Sequence, residues 1–79
     1  MRPGTLVEVY WRDSTSVDTW TSLSDHEDVE PLVIKSAGYL VSIDRDAVKI
    51  VQSVVQVPDG DVAASLIIPR GCVISVRRR

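Results

Sequence analysis

A chain of 79 residues makes one domain, and at this length folding withdraws only about 60% of the unfolded surface from water. With 44% hydrophobic residues, 25% charged residues and a net charge of −2, the composition is ordinary for a globular protein and favours neither a disordered nor a membrane class. One cysteine, Cys72, rules out an internal disulfide and one histidine, His26, argues against a zinc site, so self-association is the support left to so small a core.

No apolar run approaches the ~20 residues needed to span a bilayer, and Met1-Arg2-Pro3-Gly4 lacks the apolar stretch of a secretory signal. A cytoplasmic location without a membrane partner is the expectation, and a lone cysteine fits a reducing compartment. The charge is unevenly spread. Ten acids lie between Asp13 and Asp61 against Lys35, Arg45 and Lys49, while the chain ends Arg77-Arg78-Arg79. Such a body offers no broad phosphate-tracking surface, and the arginine tail reads either as a solubilising run or as a contact for an anion or an acidic neighbour.

In chain order, residues 5–11 read as the first strand, with Val7, Val9 and Trp11 on the core face and Leu6, Glu8 and Tyr10 on the other. Residues 12–19 are rich in Ser, Thr and Asp, which bond local backbone and favour a loop. Ser24-Asp25-His26-Glu27 has capping-box spacing, and Pro31 limits the helix to one or two turns. Residues 32–36 form a short apolar strand, set off by Ala37-Gly38 from a central hairpin over residues 38–52. In that hairpin Tyr39, Val41 and Ile43 are expected to share the core face with Val48 and Ile50. Pro58-Asp59-Gly60 marks a turn, residues 62–68 a strand buried on both sides, Pro69-Arg70-Gly71 a tight connector and residues 72–76 the last strand. The expected fold is all-β, a small barrel of five or six strands spanning residues 1–79, with one short helical turn in the loop after the first strand; closure removes exposed edges.

The residues that carry chemistry gather early. Trp11, Arg12, Asp13, Ser14, Ser16 and Trp20 place two indoles, a guanidinium, a carboxylate and hydroxyls within ten residues. An indole stacks on a base, worth ~1–3 kcal/mol, and a guanidinium pairs with phosphate in a fork. Against this, Trp11 lies on the presumed core face, and Asp13 and the serines are common turn caps. Trp20, beyond the polar loop, is the freer indole. Ser36, Tyr39 and Arg70 complete the candidate ligand set: Tyr39 packs in the core or at a subunit contact, and Arg70 holds either phosphate or an acidic neighbour. Catalysis has little to stand on. His26 sits among acids as a surface residue, Cys72 has no second histidine beside it, Asp44/Asp46 and Asp59/Asp61 flank turns, and no glycine-rich phosphate loop occurs. No enzyme activity, metal or cofactor is expected.

The order of two strands, a bent hairpin, a long strand, a one-turn connector and a final strand resembles the SH3-like barrels, and among them the Sm-like proteins. Gly38-x-Leu40-x-x-x-Asp44 is similar to the first Sm motif and Ile68-Pro69-Arg70-Gly71-Cys72-Val73 to the second, together about half the chain. The uridine-contacting asparagine of that family falls at Val48, and its leading helix is absent, so only Arg70 and Gly71 match its RNA-binding set. A second pattern covers nearly the whole chain: Trp11-x-Asp13-Ser14, Trp20, Pro31, Ser36-x-Gly38-Tyr39-Leu40 and Ile68-Pro69-x-Gly71-Cys72-Val73. It resembles a group of short bacteriophage proteins. That resemblance implies a phage origin in a host bacterial cytoplasm. Phage oligomers that sequester nucleotide immune signals give the leading expectation: a homo-oligomer that binds a small nucleotide. An Sm-like RNA- or DNA-binding ring and an adaptor that inhibits a host protein are the alternatives.

Overall fold

The computed structural model describes residues Met1–Arg79. Strands β1 (Leu6–Asp13), β2 (Leu32–Ile43), β3 (Ala47–Val54), β4 (Val62–Pro69) and β5 (Val73–Arg78) form one antiparallel sheet in the order β4-β3-β2-β1-β5. A five-residue helix, α1 (Leu23–Glu27), lies between β1 and β2, and a 3-10 turn (Arg70–Cys72) joins β4 to β5. The fold is small and all-β, as the strand patterning predicts.

Six buried side chains form the core: Val7 and Val9 from β1, Leu40 from β2, Val48 and Ile50 from β3 and Ile68 from β4. Val73 and Val76 of β5 pack against the same cluster. In a flat sheet β4 and β5 would stand four strand spacings apart, about 19 Å. Sharing one core therefore requires the sheet to curl into a barrel, which stays open because no ladder joins β4 to β5.

Two bulges and one glycine produce the curl. The β1–β5 register shifts between Tyr10 and Trp11, and the β2–β3 register shifts between Leu40 and Ser42. Each extra residue sharpens the local twist. Gly38 is buried in β2, and a Cβ there would lie 2.8 Å from the Val51 carbonyl oxygen and 3.3 Å from the Ile50 Cβ. Glycine here bends the strand without ending it, so residues 32–36 and the hairpin's first strand are one twelve-residue strand.

The second bulge also corrects the expected core face of β2. Leu40 pairs with Ile50 and points inward, while Tyr39 pairs with Val51 on the opposite face. Val41 is the inserted residue, after which Ile43 returns to the side of Val48 but stays at the rim. Tyr39, Val41 and Ile43 are consequently exposed. Period two holds on each side of the bulge and changes parity across it.

Three further expectations change. In β4 only Ile68 is buried: Ile67 is exposed because it faces away from the core, and Val62 shares the parity of Ile68 but lies at the far end of the strand, beyond the core cluster. The helix begins two residues earlier than the capping-box spacing implies: Ser22, not Ser24, is the N-cap, its Oγ accepting from the Asp25 amide at 3.1 Å. The arginine tail is strand rather than free chain. Arg77 lies over the Tyr10 ring at 5.5 Å, Arg79 Nε meets Glu8 Oε1 at 3.2 Å, and the Arg79 amide donates to the Leu6 carbonyl.

Residues 14–31 form an arm at the far end of the β1–β2 ribbon, every one of them exposed. With it the molecule measures 56 × 22 × 20 Å and its radius of gyration is 16.1 Å, against about 11.6 Å for a compact chain of this length. It makes 40 backbone hydrogen bonds, fewer than the roughly 55 usual for 79 residues, as an armed sheet with two free edges should. Overpacking the β2–β3 contact is the sharpest test of this geometry. Gly38→Ala should lower stability by about 1–3 kcal/mol in urea denaturation, whereas Gly71→Ala, where a Cβ meets nothing within 4 Å, should change it by no more than about 0.5 kcal/mol.

Candidate functional site

The arm carries the largest concave surface. Ser14, Thr15, Ser16, Val17, His26, Val29 and Pro31 line an open cavity of about 530 Å³. Local chemistry builds it. Asp13 Oδ1 accepts from the Ser14 amide at 2.8 Å, turning the chain out of β1. The Ser22 cap starts α1, and the amides of Asp28 and Val29 close it on the carbonyls of Asp25 and His26. Pro31 then releases the chain into β2. These turns bring His26 and the Ser-Thr-Ser run to the lining of one cavity. Hydroxyls and imidazole both donate and accept, so the lining suits a polar ligand rich in oxygen and nitrogen.

The structure sorts the sequence candidates into four places. Ser14 and Ser16 line the arm cavity, with exposed Arg12 and Asp13 at the strand end beside it. Trp20 stands in the same loop, its side chain entirely in solvent at 104% relative exposure. Trp11 and Ser36 satisfy each other: the half-buried indole donates from Nε1 to Ser36 Oγ at 3.0 Å and packs against the core. They pin β1 to β2. Tyr39 lies on the opposite sheet face, beside a smaller cavity shared with Gly4, Val54 and Gln56. Arg70 sits on the 3-10 turn, its amide donating to the Asp46 carbonyl. One chain does not gather all nine residues into a single pocket. Thr15 and His26 belong to the arm cavity and are missing from the sequence set; the unbroken Ser-Thr-Ser run was the available signal for Thr15, whereas His26 is brought in by the chain reversal at Asp28–Pro31.

The turn between β2 and β3 has the one clear electrostatic perturbation. Asp44 Oδ1 accepts from the amides of Ala47 at 2.9 Å and Asp46 at 2.8 Å. These two bonds, with smaller help from the charges of Lys49 and Arg70, hold the carboxyl below its ordinary value of 3.8. This is a turn clamp. Cys72 is partly buried against the core, and no three His, Cys, Asp or Glu side chains converge in metal-holding geometry. No helix is long and apolar enough to cross a membrane.

Comparison with protein-family models, curated proteins and solved structures gives no match.

The Asp44 clamp yields a signed expectation. A depressed folded-state pKa contributes stability that is present above the unfolded value and lost as pH falls through the folded one. Asp44→Ala should therefore be less stable than the wild type near neutral pH, with the gap closing below about pH 4 in urea midpoints compared at about pH 7 and about pH 3. A gap that persists unchanged at the lower pH would assign the loss to packing instead.

Proposed function

We propose that the chain is a non-enzymatic phage accessory protein that works as a homo-oligomer and sequesters a small nucleotide-type signal in its host's cytoplasm. The observation that carries the oligomeric part is exposed surface. The single chain leaves 6227 Å² accessible, where a compact 8.7 kDa protein leaves about 4,700 Å². Only nine residues are buried, and sixteen large hydrophobic residues are exposed. Two unpaired strand edges add backbone groups in want of partners.

The ligand part rests on the arm. The hydroxyls of Ser14, Thr15 and Ser16 and the imidazole of His26 match the hydrogen-bonding demand of a ribose or a phosphate. Trp20 offers an indole face for a base, and Arg12 a fork for one phosphate. Arg12 is the only arginine or lysine of β1, and Lys35, opposite Tyr10 on β2, and Arg70, on the 3-10 turn that contacts β1, are further cations of the same chain toward that end. The nucleic-acid alternative is weaker, since a long polyanion would meet the carboxylates of the arm. The adaptor alternative draws on one observation: Trp20 and Leu23, exposed at 104% and 77%, are an aromatic and an aliphatic anchor of the kind that centres a protein interface.

Native mass spectrometry of protein taken from its host should show an oligomer retaining a discrete small molecule. Calorimetric titration with cyclic and linear nucleotides should give binding that Trp20→Ala weakens by about tenfold, the loss of one stacked base. An oligomer with no retained mass and no heat from any nucleotide would overturn the ligand part and leave the adaptor reading.

A further inference from the structure

Six of the sixteen exposed large hydrophobic residues lie on the arm and its root. Val17, Trp20, Leu23, Val29, Leu32 and Val33 are all between 39% and 104% exposed. Nothing in the same chain covers them, and the surplus of about 1,500 Å² over a compact chain exceeds the roughly 800 Å² that each partner gives to a stable interface. The charge on this surface says what covers it. From Asp13 to Glu30 the chain carries six carboxylates, Asp13, Asp18, Asp25, Glu27, Asp28 and Glu30, and no lysine or arginine. The remainder carries nine basic and five acidic side chains. A chain of net charge −2 is thus split into a segment of −6, the arm with Asp13 at its root, and a remainder of +4.

The densest basic patch lies at the other end of β1. Val7 pairs with Arg78 of β5 and Asp13 with Leu32 of β2, so six residues, about 20 Å along an extended strand, separate Arg78 from the root of the arm. No carboxylate of the arm forms an ion pair within the chain; the one salt bridge joins Arg79 to Glu8. Arg77 is occupied by the Tyr10 ring, and Arg78, on the same free edge, has neither kind of partner.

We infer that the arm docks on a second copy of the chain, its apolar surface closing over the barrel and its carboxylates meeting the Arg77–Arg79 end of β5. The inference rests on the oligomeric part of the reading above and adds which surfaces meet. Arm and basic end are different patches, so every copy presents both halves of the contact, and a two-fold pair or a closed ring satisfies all of them. Docking also brings arginines to the arm cavity, whose lining holds no lysine or arginine of its own.

Charge exchange tests this on the full chain by sedimentation velocity. Wild-type protein should associate at about 0.05 M salt and more weakly at about 0.5 M, as screening predicts. Arg78→Glu should weaken association about tenfold, and so should Glu27→Lys/Asp28→Lys, both at exposed positions. An equimolar mixture of the two variants should regain wild-type association as a mixed species. Circular dichroism on each variant confirms that the sheet is intact. A chain that stays monomeric at both salts, or an association that neither variant moves, overturns the inference; the latter result places the contact on the strand edges. Restored association without nucleotide binding would remove the ligand reading and leave this contact standing. Nucleotide binding with no response to charge exchange would do the reverse.

Discussion

The structure depends on one shared cluster, in which Val7, Val9, Leu40, Val48, Ile50 and Ile68 meet on the inside of a curled sheet. Burying each such side chain stabilises by roughly 1.5–3 kcal/mol, and there are few of them. The sheet must curl for β4 and β5 to reach the same cluster, and it curls where Gly38 lets β3 approach and where bulges in β1 and β2 add twist. Once curled it has an inside but little cover outside, where Val51 is buried. Tyr39, Val41 and Ile67 stay in contact with water for that reason.

That shortage explains how the molecule is arranged. Nearly all the burial is done by the barrel, and residues 14–31 are built from local hydrogen bonds instead: Asp13 to Ser14, Ser22 to Asp25, and the closing bonds of α1. Local bonds of this sort shape a segment without anchoring it to a core. The arm therefore combines a polar cavity, an uncovered indole and, with Asp13 at its root, six of the eleven carboxylates, while the chain ends in three arginines along an open edge. A single copy holds separated halves of one complementary surface. Both the ligand reading and the docking inference follow from that separation.

Most of the fold was legible in the sequence because its strands keep period two and its turns use Asp, Pro and Gly. Val7 and Val9 were readable as core, Asp44–Asp46 and Pro58–Gly60 as turns, and the 3-10 connector from Pro69-Arg70-Gly71. The bulge at Val41 was not legible, since an inserted residue leaves no mark in an apolar run, and it reversed the assignment of Tyr39. Nor was the edge position of β4 visible: Val62 to Ile68 reads as doubly buried unless the strand order is known. Of the candidate site, Ser14 and Ser16 were found from their neighbourhood in sequence. His26 was not, because the reversal after α1 that carries it to Ser14 is a tertiary event. Trp11 and Ser36 lie 25 residues apart in sequence, and only the β1–β2 register reveals that each satisfies the other.

The central claim is that this chain completes its surface with further copies of itself, and small-angle X-ray scattering from dilute solution at low salt tests it most directly. The forward intensity should give a mass that is a whole multiple, two or more, of 8.7 kDa, with a scattering profile in which the isolated 56 Å arm-and-barrel shape no longer fits. A mass of one chain, with a profile that the single elongated molecule fits unaided, would contradict the account.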